Sequence, residues 1–141
     1  MNMKVIGFNF TKMSAERMKA SAENIKINTT LDFPEIKEAK SQFLKTKEEL
    51  IEAKFEYKVN YDPDLAKVAI HGTILLSVDT KTAEEVLKTW KKKALPEDFR
   101  ISLFNVVMKK AALKALSLCD ELNLPVHIPM PTMRKEDQQS K

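Results

Sequence analysis

From Ile51 to Tyr61 every second residue is apolar or aromatic: Ile51, Ala53, Phe55, Tyr57, Val59 and Tyr61 alternate with Glu52, Lys54, Glu56, Lys58 and Asn60. Successive side chains of an extended chain point to opposite faces, so period two predicts a strand with one face buried. Val68, Ile70, Gly72, Ile74, Leu76 and Val78 repeat the spacing. Between the two runs stands Asp62-Pro63-Asp64, where proline presets φ and the aspartates bond nearby backbone, and the whole predicts a long hairpin. Ile25, Ile27, Thr29, Leu31 and Phe33 give a further strand, and Ile6, Phe8 and Phe10 a shorter one. Between Phe33 and Leu50 the pattern is ambiguous: Ile36, Ala39 and Phe43 suit a helix, and the charge density suits a solvated connection.

After Val78 the period changes to that of a helix, with Ala83, Val86, Leu87, Trp90 and Ala94 on one side. Thr82 followed by Glu85 has the form of a capping box, which predicts a start near Thr82. A second helix is predicted from about Pro96, because its fixed φ suits a first turn and Glu97 and Asp98 complement the positive end of the helix dipole. In it Ile101, Phe104, Met108, Ala111, Ala115, Leu118 and Leu122 step by three and four, while Leu103, Val107, Leu113 and Leu116 form a second apolar flank. One flank covers the sheet and the surplus implies a groove or a partner chain. The expectation is a homodimer or tetramer, with Ile101, Phe104, Met108, Ala111, Ala115 and Leu118 at the interface. Asn123 suits a helix stop, and Leu124 to Pro131 is too proline-rich for helix or central strand. The predicted fold class is therefore α+β, one domain over residues 1–133, with a four-stranded antiparallel sheet, a short helix and a long C-terminal helix. Residues 134–141 are expected to be a disordered tail.

Length and composition agree with that outline and remove several functions. A chain of 141 residues suits one domain, and 43% hydrophobic with 31% charged residues suits neither disorder nor a membrane protein. No apolar run approaches the roughly 18 residues that span a bilayer, and the first residues carry no signal-peptide pattern, so a soluble cytoplasmic protein without membrane insertion is expected. The one cysteine, Cys119, excludes an intrachain disulfide, and His71 and His127 have no local ligand spacing with it, so no metal is expected. Gly7 and Gly72 stand alone, which leaves no phosphate-cradling loop and no cofactor. Paired carboxylates such as Glu48-Glu49 lie in solvated charged stretches, and no catalytic constellation is present, so the chain reads as a non-enzyme. Lysine makes up 21 of the 24 basic residues, a Lys/Glu-rich, glycine-poor balance linked to thermophile proteins.

Two features bear on function. The aromatic side chains Phe8, Phe10, Phe33, Phe55, Tyr57 and Tyr61 either form core and oligomer interface or line a hydrophobic groove for unfolded or nascent polypeptide. The net charge of +4 is uneven: eight cations between Lys88 and Cys119 face only Glu97 and Asp98, a local +6. Lys91, Lys92, Lys93, Lys109, Lys110 and Lys114 either coat solvated helix surface or neutralise phosphates of RNA on a ribosome-associated factor. The scarcity of arginine argues against base-specific reading.

The order of these elements resembles the SecB-like superfamily of export chaperones. The local likeness lies in Leu122-Asn123-Leu124-Pro125-Val126-His127-Ile128 after the long helix, with Ile25 to Phe33 and the Phe55 to Val78 hairpin in the expected order. The resemblance implies oligomers, commonly dimers paired into tetramers, and binding of non-native polypeptide in hydrophobic grooves. The export chaperones it resembles are acidic, whereas this chain is basic. A ribosome- or RNA-associated translation factor using a basic helical surface is therefore the alternative expectation.

Overall fold

The computed structural model describes residues 3–20, 23–39 and 48–128. Strands β1 (Met3–Arg17), β2 (Lys26–Ala39), β3 (Glu48–Asp62) and β4 (Ala66–Asp79) precede helices α1 (Thr80–Trp90) and α2 (Glu97–Glu121). All strand pairs are antiparallel, in the order β1-β4-β3-β2. The β3–β4 hairpin lies at the centre, where both alternating apolar sets are wholly buried, from Ile51 through Tyr61 and from Val68 through Val78. Asp64, at φ 45, supplies the left-handed residue of the intervening turn. The polar residues between these positions face away from the helices, the usual division of labour in an antiparallel sheet with one wet face.

The edge strands depart from strict alternation, and their bulges explain why the pattern was harder to read there. β1 is longer than the Ile6-Phe8-Phe10 run, and its register with β4 shifts between Val5 and Gly7 and again between Phe10 and Lys12. The first shift takes Ile6 out of phase with Phe8 and Phe10, leaving it 50% exposed. In β2 the register with β3 shifts between Asp32 and Glu35, next to Pro34, a residue confined to edges and bulges because it has no N–H. Beyond the bulge Ile36 returns to the buried face and β2 continues to Ala39, so the helix considered around Ile36 and Ala39 is a strand instead. Phe43 lies outside the described residues, as does the expected tail 134–141.

Gly72 stands in register between Phe10 of β1 and Phe55 of β3. The missing side chain lets those two rings approach to 6.3 Å across β4, with Phe8 5.1 Å from both. A Cβ on Gly72 would lie 2.5 Å from the Phe55 ring and press on the Asn9 carbonyl oxygen, so no other residue fits without displacing backbone.

Helix α1 begins two residues earlier than the Thr82–Glu85 pattern suggests. Its N-cap is Asp79, whose carboxylate accepts from the Thr82 backbone N–H at 3.1 Å and from the Thr82 hydroxyl at 2.7 Å. Helix α2 starts after Pro96, whose carbonyl accepts from Arg100 N–H, and ends in a Schellman motif. There Asn123 is left-handed at φ 54, Leu124 N–H donates to Cys119 O, and Asn123 N–H donates to Asp120 O.

The buried residues of α2 are Phe99, Leu103, Val107, Ala111, Ala115 and Cys119, each four after the last, with Ala112 beside them. Four residues turn about 40° past a full circle, so five such steps carry the buried face roughly 200° around the helix. A face that winds in this way follows a twisted sheet crossed at an angle. The buried stripe thus crosses from one apolar flank of the sequence to the other, taking Leu103 and Val107 from one and Ala111 and Ala115 from the other. Ala111 and Ala115 are fully buried in this chain's own core, as are Leu103 and Val107, which differs from the expectation that the two alanines face a partner. What remains uncovered is Ile101 at 46%, Phe104 at 40% and Leu113 at 65% exposure.

Candidate polypeptide-binding groove

The bulge in β2 and the turn between the helices meet at one edge of the sheet. In the turn after α1 Lys93 is left-handed at φ 58, and Ala94 N–H donates back to Thr89 O at 3.2 Å. The turn carries Trp90 and Leu95 against β2 and starts α2 so that Phe104 reaches the same place. Leu31, Phe33, Pro34, Trp90, Leu95 and Phe104 then line an open groove of about 620 Å³. Its other lining residues are Asp32, Lys93, Ala94 and Arg100. The Lys93 ammonium sits 4.7 Å from the centre of the Trp90 ring, a cation–π contact that leaves its charge at the groove wall. No ion pair among the described residues engages Arg100. Nearby Glu35 is paired with Lys54 at 3.0 Å, and Lys54 is the main reason its carboxyl ionises below the usual range, with Lys37 and Lys93 adding smaller pulls.

The opposite end of the helix face is closed. Residues 122–128 fold back from α2 across the sheet as a strap. The Arg17 guanidinium of β1 donates to the carbonyls of Leu122 at 2.8 Å and Asn123 at 3.0 Å. Tyr61 donates to the Pro125 carbonyl and lies 3.0 Å from Cys119 Sγ. A hydroxyl has one proton, so with Pro125 taking it the thiol is left as donor to Tyr61. Tyr57 lies 2.8 Å from His127 Nε2, and the rings meet edge to face. Burial dominates the titration here: it raises Tyr57 to about 12, with a further push from Cys119, raises Tyr61 and the Cys119 thiol, and lowers His127.

The aromatic residues singled out in the sequence are therefore divided. Phe33 alone lines the groove. Phe55, Tyr57 and Tyr61, at 1% exposure or less, are core side chains beneath α2 and the strap, not an open lining. Phe8 and Phe10 are half-buried along β1, under Lys110 at 5.2 Å and Lys114 at 5.9 Å. Those contacts also divide the lysines, because Lys93 stands by β2, and β1 and β2 are opposite edges roughly 14 Å apart across three strand spacings. Lys91, Lys92 and Lys109 are exposed. The six are not gathered on one surface. Trp90, Leu95, Lys93 and Arg100 were not linked to Phe33 by the sequence, since three separate segments build the groove; Pro34 within a strand was the available sign of an irregular edge.

Among the described residues no group of three His, Cys, Asp or Glu side chains could hold a metal, and no helix is long and apolar enough to cross a membrane. No family model and no curated protein matches the sequence. The sheet order, with a short helix and then a long one laid across one face, defines a SecB-like fold. The chain is similar in structure to the Mycobacterium tuberculosis SecB-like chaperone Rv1957, solved in complex with a ChAD peptide from the Rv1956 HigA1 antitoxin. The TM-score is 0.53 at 11% identity, over 94% of this chain and 91% of that one. At that identity the likeness is one of fold.

Proposed function

We propose that this protein is a non-enzymatic, chaperone-like protein that binds unfolded or nascent polypeptide in extended form. The observation that carries the reading is the groove between Phe33, Trp90 and Phe104, an apolar trough beside the outer edge of β2. Nothing among the described residues pairs with that edge. An extended peptide can therefore add main-chain hydrogen bonds to β2 while its apolar side chains enter the trough. A SecB-like fold that holds a peptide in the mycobacterial complex is consistent with this use. We further propose that the protein acts in the cytoplasm as a homo-oligomer, in which Ile101 and Leu113 supply apolar surface left over by the monomer.

The test is suppression of aggregation of a chemically denatured client. Protection at near-equimolar protein, lost in Phe104→Ser, is the expected result. No protection, together with no binding of an unfolded ligand, overturns the reading. Light scattering should give at least twice the 16.1 kDa chain mass, and a strictly monomeric mass at micromolar concentration rejects self-association. Salt-sensitive co-sedimentation with ribosomes in the absence of any client protection would favour the basic-surface alternative.

A further inference from the structure

Resting on that reading, we infer that the groove selects polypeptide segments in which an apolar or aromatic anchor is flanked by an acidic side chain. The wall on the helix side carries two cations: Lys93, in the turn after α1, lies over Trp90, and Arg100 stands one turn into α2. Among the described residues no ion pair ties an acidic group to either cation of this wall. Asp32 lines the groove but alternates with Leu31 and is in register with Glu56, Glu35 is held by Lys54, and Glu97 and Asp98 in the first turn of α2 form no ion pair with Arg100. An anchor in the trough between Phe33, Trp90 and Phe104 places its chain neighbours within reach of both cations. An Asp or Glu there gains charge-assisted hydrogen bonds from Arg100, which no ion pair within the chain already engages. A Lys or Arg at the same place meets like charge.

The same cations also suit the phosphates of single-stranded RNA stacked on Trp90 and Phe104. Polypeptide is favoured because the trough lies beside an unpaired strand edge, whose N–H and C=O groups on either side of the Pro34 bulge match another peptide chain and not a sugar–phosphate backbone. The remaining lysines do not extend the patch either, since Lys110 and Lys114 stand over the far edge at Phe8 and Phe10.

Fluorescence anisotropy with the full chain tests the proposal. The probes are three labelled peptides sharing a Leu-Phe anchor, flanked by Glu, Gln or Lys, and a single-stranded oligouridine. The Glu-flanked peptide should bind about three- to tenfold tighter than the Lys-flanked one at low salt, as two exposed charge contacts allow, with the gap closing at high salt. Lys93→Gln with Arg100→Gln should remove the gap between the Glu-flanked and Lys-flanked peptides. Phe104→Ser should weaken all three peptides alike. Equal binding of the three peptides overturns the charge selectivity and leaves the groove reading standing. If no peptide binds, the polypeptide reading itself falls. Oligouridine that outcompetes every peptide overturns the inference in favour of a phosphate ligand.

Discussion

The two ends of α2 treat the sheet beneath them differently. At its C-terminal end the helix, the strap and the sheet close on Tyr57 and Tyr61, and each buried phenol has a partner on the strap: the Pro125 carbonyl or His127. At its N-terminal end the proline-containing turn and the bulge in β2 hold helix and strand apart, and Phe33, Trp90 and Phe104 stay partly in water around a groove. The core is therefore purchased at one end, and the other is left with apolar surface that has no internal use. Stability and binding should separate along the same line.

The largest effect expected is in the closed end. Tyr61→Ala removes a side chain at 1% exposure and opens a cavity below α2, which costs about 3–5 kcal/mol. Phe104→Ala, at 40% exposure, should cost less than about 1 kcal/mol in urea unfolding while weakening peptide binding. Comparable destabilisation by the two variants would erase the distinction between the ends. Between them lies the centre of the sheet. Gly72→Ala drives a Cβ against the Phe55 ring and the Asn9 carbonyl, and strain of this kind costs about 1–3 kcal/mol. Because Phe55 belongs to the core and not to the groove, the variant should lower the urea midpoint and leave the affinity of the folded protein for peptide as it was.

That contrast also marks what the sequence could and could not reveal. Strands β3 and β4 were legible to within a few residues, because both are central, buried on one face and free of bulges, so period two survives along their whole length. The edge strands lost their phase at Ile6 and again around Pro34, and the expectation failed at those bulges. The surplus of apolar surface on α2 was legible, but the assignment of residues to buried and uncovered sides was not, because a periodicity argument assumes a straight stripe and the buried one winds from Phe99 to Cys119. Asn123 was visible as a stop because a left-handed cap is a local property. The groove was invisible because it depends on the angle at Ala94-Leu95-Pro96, which no local pattern encodes.

A smaller effect separates the polar from the apolar contribution of the closed end. Tyr61→Phe keeps the ring and deletes the hydroxyl, leaving the Pro125 carbonyl without its donor and Cys119 without its partner. The loss should be about 1–2 kcal/mol. Hydrogen exchange should rise chiefly in residues 124–128, whose attachment to the sheet depends on that bond, and not along β2 by the groove. Uniform acceleration across the chain would mean that strap and core open together.

The smallest effect expected is the pH dependence of the same strap. Burial lowers the His127 pKa below the ordinary histidine value of about 6.5, and the group that faces it is the neutral Tyr57 hydroxyl. Nδ1 is buried without a hydrogen-bond partner, so a second ring proton would find no acceptor. The unfolded chain thus binds a proton at a pH where the folded chain does not. Stability is full above the ordinary histidine range and falls as pH drops through about 6.5 toward the lower folded value. Tyr57, raised to about 12 by burial, has the opposite sign: its contribution is full below the ordinary tyrosine value of about 10 and is lost as pH rises toward 12. His127→Gln should keep a polar group facing Tyr57, flatten the acid arm between about pH 7 and 5, and leave the alkaline arm in place. An acid arm unchanged by His127→Gln would assign the loss to other groups and leave the strap indifferent to pH.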